Sequence, residues 1–325
     1  MPETAGGRSP TLVTLLGALL YCAPLAVWLR FNDDIVSAGG LAAFVEAAAG
    51  RRLALVQAAF WTFSYFLYLP YTVIDIVHEL LPDAFPGIAP WEWLLQLVVP
   101  VALVALVLAG THVALRLLAL SAAAQLVVLV ALGMSGLRSH GPRALAAHPH
   151  DVLRHSAAVS LLFVCGSLPL FLGAEVRGGS RTIRTTLTAA AAIVAAFVAF
   201  ALFGGVPSGR AWAIVAAAGS AVSVAGLIVA EYLALSRLLH AVTRVPVRRI
   251  LALVAVPFVA IDALALTDPE RFDHALLRPS LVALYVSQLI VLASYPLYKR
   301  RAPDAAIAGI ASAVMAYGLW LSLRA

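Results

Sequence analysis

Long apolar stretches separated by short polar joins run the length of this chain. Residues 11–30, 54–80, 91–110, 112–136, 156–175, 184–205, 211–240, 248–267, 279–297 and 304–323 are each predominantly apolar. About 20 such residues carry an α-helix across the hydrocarbon core of a bilayer, so ten membrane-spanning helices are predicted. Several contain Gly or Pro, which membrane helices tolerate because neighbouring groups re-satisfy the freed backbone. Residues 31–53 are intermediate. There Ala38-Gly39-Gly40 opens a mildly amphipathic stretch, Leu41 to Gly50, that leads into the second span. Residues 1–10 read as a polar tail with one cation, Arg8. The apolar run after it continues to Trp28 without a small-residue cleavage site, so it reads as a span and not as a signal peptide.

Two interruptions mark the middle of the chain. Gly166-Ser167-Leu168-Pro169 breaks the 156–175 run, and the join Gly173-Ala174-Glu175-Val176-Arg177-Gly178-Gly179-Ser180-Arg181 follows it. A helix broken inside a membrane frees N–H and C=O groups that lipid cannot satisfy. Such breaks are expected only against protein or a solute-holding, water-filled cavity. This pattern points to a solute transporter; an ordinary Gly–Pro kink is the plain alternative.

Composition sharpens the class. The 325 residues are 62% hydrophobic and 12% charged, with a mean hydropathy of +0.96. A soluble domain of this size cannot hide that much apolar surface, so the chain is an all-α polytopic membrane protein. Cys22 and Cys165 both lie in apolar segments, which favours neither a disulfide scaffold nor a metal cluster. The net charge of +6 does not call for nucleic acid, because cytoplasmic loops of membrane proteins are rich in Arg and Lys. Alternate joins hold fourteen of the 22 basic residues, among them Arg51, Arg177, Arg184, Arg237 and Lys299. The other joins hold eight, among them Arg138, Arg143, Arg154 and Arg210. The positive-inside rule places the richer set in the cytoplasm. Both termini then lie outside, an arrangement that predicts one span missing before residue 11.

In this order the motifs resemble the amino acid–polyamine–organocation transporter superfamily, over nearly the whole chain. Ser37-Ala38-Gly39-Gly40-Leu41 through Val45-Glu46, then Gly50-Arg51-Arg52, looks like the family's loop between its second and third helices. Gly110-Thr111-His112-Val113-Ala114-Leu115-Arg116 looks like its turn between helices four and five. Residues 163–187 are similar to the sixth helix and the loop after it. Ser236-Arg237-Leu238-Leu239-His240 matches the serine-arginine end of the eighth helix. Two departures stand beside these matches. The family's sixth helix breaks at a glycine followed by an aromatic and an acidic residue, whereas Gly166 is followed by Ser167 and Leu168. The register also makes 11–30 the family's second helix, so its first, substrate-binding helix is expected to be missing.

The resemblance implies two five-helix repeats of inverted topology, with the solute at the midplane. It divides the single transporter domain 1–325 into a tail (1–10), the rest of the first repeat (11–136), an external loop (137–155), the second repeat (156–297) and an additional helix (298–325). It implies a secondary transporter of the cytoplasmic membrane that moves a small amino acid or amine by alternating access. The alternative is a transport-inactive relative that serves as a membrane scaffold or solute sensor.

Within that frame, Gly166, Ser167, Leu168 and Pro169 are the expected substrate-binding residues. Tyr65, with Tyr68 and Tyr71, is a candidate for stacking on an amine. Glu231 lies well inside the 211–240 stretch, with Ser220 eleven residues earlier on the same helical face. A carboxylate among lipids is costly, so Glu231 is the proton-coupling or amine-binding candidate; a neutral packing glutamate is the competing reading. Gly219, Ser223, Gly226 and Ala230 form a small-residue stripe for helix packing. Glu175 lies within reach of Arg177, Arg181 or Arg184. Asp262, Asp75 and Glu79 are assigned to solvated span ends. His148, His150, Asp151 and His155 crowd one loop but read as polar interface more than as a metal site. Trp91-Glu92-Trp93 reads as an interfacial anchor. No Gly-rich loop ending in Gly-Lys-Ser/Thr occurs, and no paired catalytic residues sit at helical spacing within the spans, so no enzyme, nucleotide or other cofactor is expected. Energy would come from an H+ or Na+ gradient, with symport and antiport both open, as is the oligomeric state.

Overall fold

The structure, a computed structural model, describes residues 9–142, 152, 155–156, 159–160, 163–205, 207 and 209–324. Arg8, Arg143, Arg154, His148, His150 and Asp151 lie outside the described residues. Among those described, every regular element is helical. The α-helices are α1 (Pro10–Asp34), α2 (Leu41–Ala49), α3 (Arg51–Ile74), the four-residue α4 (Leu81–Ala84), α5 (Glu92–Leu108) and α6 (Thr111–His140). They continue with α7 (Gly179–Gly204), α8 (Arg210–Thr243), α9 (Val247–Ala265), α10 (Pro269–Tyr298) and α11 (Ala302–Arg324). A π-helical turn, Asp75–Leu80, joins α3 to α4, and 3-10 helices span Pro86–Trp91 and Phe163–Glu175.

Eight of these helical stretches, not the ten predicted, are long and apolar enough to cross a membrane. In the 156–175 stretch the helix Phe163–Glu175 has only 13 residues, and the 248–267 stretch, as α9, carries Arg248, Arg249 and Asp262 within its 19 residues. The protein is thus an all-α, multi-pass membrane protein. The lipid-facing surface is visible in the side chains it leaves outside: Leu120 and Val127 on α6 are each 68% exposed and Leu19 on α1 is 65% exposed. In water such a surface would be unfavourable at about 25 cal/mol per Å2; against acyl chains it costs nothing.

Local chemistry sets the ends. The Ser9 hydroxyl accepts from the Leu12 N–H at 3.3 Å, and Pro10 occupies the first helical position of α1. Gly40 enters α2 with φ +50, and a Cβ there would run into the Phe171 ring. That glycine is required twice, by its dihedral and by the close approach. α2, predicted as an amphipathic lead into the second span, is a separate helix divided from α3 by Gly50.

The interior is built around α3 and α10, which pack along each other. Gln57 Nε2 donates to Ser287 Oγ at 3.0 Å, and the Ser280 hydroxyl donates to the Ser64 carbonyl at 3.0 Å. Such bonds hold helices together where lipid supplies no hydrophobic drive. Trp61, Tyr65 and Phe171 continue the core toward the 163–175 helix, with ring centroids 4.1 and 4.3 Å apart.

Small residues bring the outer helices together. A Cβ on Gly219 of α8 would touch Val128 of α6 at 3.0 Å, and one on Gly226 would strike the Ser121 hydroxyl. The small-residue stripe of α8 therefore packs on α6. Closer still, a Cβ on Gly136 of α6 would collide with the Gly204 and Gly205 carbonyls, and one on Gly204 with the Gly133 carbonyl. The α6 and α7 backbones touch there. Gly136→Val is expected to lower stability by about 1–3 kcal/mol through overpacking, read as a reduced melting temperature in detergent. Ala at Gly309, where an added Cβ meets nothing within 4 Å, should leave it unchanged.

Candidate functional site

The expected break at Gly166–Pro169 is a change of helix type. Phe163–Glu175 is wound throughout as a 3-10 helix, with no cis peptide among the described residues. The N–H groups expected to be free for a carboxylate are instead drawn into a tighter winding. A 3-10 stretch this long is uncommon, because its hydrogen-bond geometry is poorer than that of an α-helix, and such stretches often mark a hinge or a sequence under strain.

The four residues of the break go separate ways. Gly166 carries no gap for a solute: a Cβ there would meet the Tyr21 hydroxyl, so α1 fills the notch. Ser167 is fully buried, and its hydroxyl donates to the Val164 carbonyl at 3.0 Å. Leu168 is buried in the core. Pro169 is exposed and faces away from the interior.

What the fold gathers around this helix is a set of polar side chains from five elements. Tyr65 of α3 is fully buried, with its hydroxyl 4.0 Å from Cys165 Sγ. Glu231 of α8 is fully buried and lies within electrostatic range of Tyr65, Tyr68 and Cys165. Tyr21 of α1 and Tyr285 of α10 lie within range of the same thiol. Both Glu231 oxygens are buried without a hydrogen-bond partner among the described residues. Removing an ionised carboxylate from water with nothing to compensate it is prohibitive, so such a group takes a proton or pairs with a cation.

Ser220 does not join this cluster. It shares the Glu231 face, but eleven residues separate them, about 16 Å along the axis, and Ser220 is only half-buried. Tyr68 and Tyr71 pack on each other at 5.2 Å between centroids.

A second layer lies at the Arg-rich end. Arg237, only 8% exposed, reaches Glu175 across the end of the 3-10 helix through an ion pair from Nε to Oε1. Its Nη2 donates to Thr111 Oγ1 of α6 at 2.8 Å, and its Nη1 to the Ser236 hydroxyl at 3.3 Å. Glu175 was expected to meet Arg177, Arg181 or Arg184. Arg184 instead holds Asp33 of α1 at 2.6 Å. Asp34 takes Lys299 Nζ at 2.7 Å and the Tyr298 hydroxyl at 3.1 Å, and Asp304 pairs with Arg30. The Lys299 ammonium is held above its ordinary value by this bond to the Asp34 carboxylate. These pairs tie α1 to α7, α10 and α11, and the 3-10 helix to α6 and α8.

One further assignment changes. Asp262, expected at a solvated span end, is fully buried and accepts from Gln96 Nε2 at 3.1 Å. Asp75 sits half-buried in the π turn, and Glu79 beside it is exposed. Trp91 and Trp93 stand out at the surface, as an interfacial anchor requires. His155 is described without the rest of its loop cluster, and no group of three metal-ligating side chains occurs among the described residues.

No known protein-family model matches this chain, and no curated protein matches it. Its chemistry must therefore be read from its own residues. Cys165, Tyr21 and Gln96 were not foreseen as site residues. Cys165 had a signal, since it directly precedes Gly166 in the interrupted run.

Proposed function

We propose that this protein is a secondary transporter of the cytoplasmic membrane, moving a small amino acid or amine by alternating access, with the inverted-repeat fold of the amino acid–polyamine–organocation superfamily. One observation carries the reading: Glu231, fully buried in a membrane helix and without a partner for either oxygen among the described residues, stands beside a 3-10 helix of uncommon length. An intramembrane carboxylate so placed marks an ion or solute path. Proton or amine at Glu231, aromatic walls from Tyr65 and Tyr21, and rewinding of 163–175 supply the parts. The Glu175–Arg237 tie holds that segment closed toward the cytoplasm.

The Tyr21 hydroxyl seated in the Gly166 notch favours a second reading, a transport-inactive relative that binds solute or scaffolds a partner. Proteoliposomes separate the two. With an imposed H+ or Na+ gradient and a pool of labelled amino acids and amines, the transporter reading expects uptake above protein-free vesicles. Saturable binding without uptake selects the sensor, and neither uptake nor binding sinks both. Replacing Tyr21 by Phe should raise solute binding if the hydroxyl competes for the notch.

A further inference from the structure

Asp262 and Gln96 stand apart from the central cluster. They lie on α9 and α5, which pack together, and both are fully buried. Gln96 Nε2 donates to Asp262 Oδ1 at 3.1 Å. The second atom of each group, Asp262 Oδ2 and Gln96 Oε1, is buried with no partner among the described residues. As a carboxylate and an amide carbonyl, both are acceptors and cannot bond to each other. One proton on Oδ2 removes the conflict. The acid O–H then donates to Gln96 Oε1 while Nε2 keeps its bond to Oδ1, closing a two-bond ring in which all four atoms are satisfied. α3, α5 and α8 pack against α9, and no charged side chain on them acts on Asp262. Gln96 is its hydrogen-bond partner, and no cation among the described residues pairs with it.

A partly exposed polar pair lies one helical turn from Gln96. Glu92 lies four residues before Gln96 on the same face of α5, about 6 Å along the axis. Its Oε2 is 3.2 Å from His78 Nδ1, and the two side chains are 26% and 18% exposed. His78 belongs to the π turn Asp75–Leu80, a distortion found frequently at functional sites. Its other ring nitrogen, Nε2, is buried without a hydrogen-bond partner among the described residues.

We propose that His78, Glu92, Gln96 and Asp262 form a proton relay separate from Glu231, in which Asp262 holds a proton within the bilayer and Glu92 and His78 exchange it with the nearer aqueous face. The proton arrives from water at His78 or Glu92, passes to Asp262 Oδ2 and leaves by the same groups.

Infrared spectroscopy of the purified full-length chain in lipid nanodiscs tests this. At neutral pH a protonated-carboxyl C=O band is expected that is lost in Asp262→Asn, whose amide pairs with Gln96 in the same ring and preserves the packing. In Gln96→Leu the band persists and moves to higher frequency, because the amide bonds are gone; this variant carries the test if Asp262→Asn fails to fold. On transfer to D2O the band shifts as deuterium enters, and Glu92→Gln and His78→Phe should slow that shift several-fold. If Asp262→Asn removes carboxylate absorption instead, the proton site is wrong. Exchange unchanged in both Glu92→Gln and His78→Phe overturns the relay. None of these variants touches Glu231, so the result stands or falls independently of the transport function.

Discussion

Glu231→Gln is expected to reduce gradient-driven uptake in proteoliposomes to the level of protein-free vesicles, while exchange of labelled for unlabelled solute persists. The substitution keeps shape and hydrogen-bonding capacity but cannot take up or release a proton. Its effect on stability should be small, because neither Glu231 oxygen has a partner to lose. The melting temperature is therefore expected to stay within a few degrees of the parent, against a shift of about 2–4 °C per kcal/mol for a chain near this size. Lost coupling with retained stability separates a functional group from a packing one. Unchanged driven uptake would remove Glu231 from the mechanism and leave it a neutral core residue.

The Glu175–Arg237 pair should respond unequally to loss of its two members. Arg237 is 8% exposed and Glu175 44% exposed. Glu175→Ala strands a buried guanidinium with only Thr111 and Ser236 as acceptors among the described residues. Breaking a buried pair from this side costs about 3 kcal/mol. Arg237→Met strands a carboxylate that can turn to water and replaces the guanidinium stem with apolar atoms, at a cost of about 1 kcal/mol or less. Chemical unfolding in detergent measures both, and the double variant should match Arg237→Met alone. Equal costs would show that Arg237 finds other solvation. Both variants release the end of the 163–175 helix, so leak of preloaded solute from proteoliposomes is expected to rise in parallel.

How far the chain was legible varied with the length scale of the forces involved. The apolar stretches predicted from hydropathy, such as 11–30, 112–136 and 304–323, became α1, α6 and α11 with ends moved by a few residues. Twenty apolar residues in a row admit one solution in lipid, a helix that satisfies its own backbone. The Leu41–Gly50 stretch was legible because glycines bracket it. The 279–297 stretch was drawn too short: α10 starts at Pro269, capped by Asp268, whose side chain accepts from the Arg271 N–H. That polar first turn carries no hydropathy signal.

Partners were not legible. Spacing along the chain favoured Arg177, Arg181 or Arg184 for Glu175, but the fold supplies Arg237, 62 residues away. Asp262 read as solvated because it lies near a span end, and only the packing of α9 on α5 buries it against Gln96. The Gly166 notch read as space for a solute because no local signal reveals that Tyr21, 145 residues earlier, fills it.

By itself the sequence determined that this is a multi-pass helical membrane protein, where eight of its apolar helices run, and that Glu231 lies inside one of them. These follow from hydrophobicity summed over consecutive residues, a property of the chain before it folds. The tertiary structure alone decided that Glu231 comes within electrostatic range of Tyr65 and Cys165, that Arg237 closes on Glu175, and that the 166–169 interruption winds as a 3-10 helix. Those outcomes depend on which helix faces lie against each other. In lipid, small residues and a few polar contacts choose those faces, and apolar surface spread around every helix does not rank them.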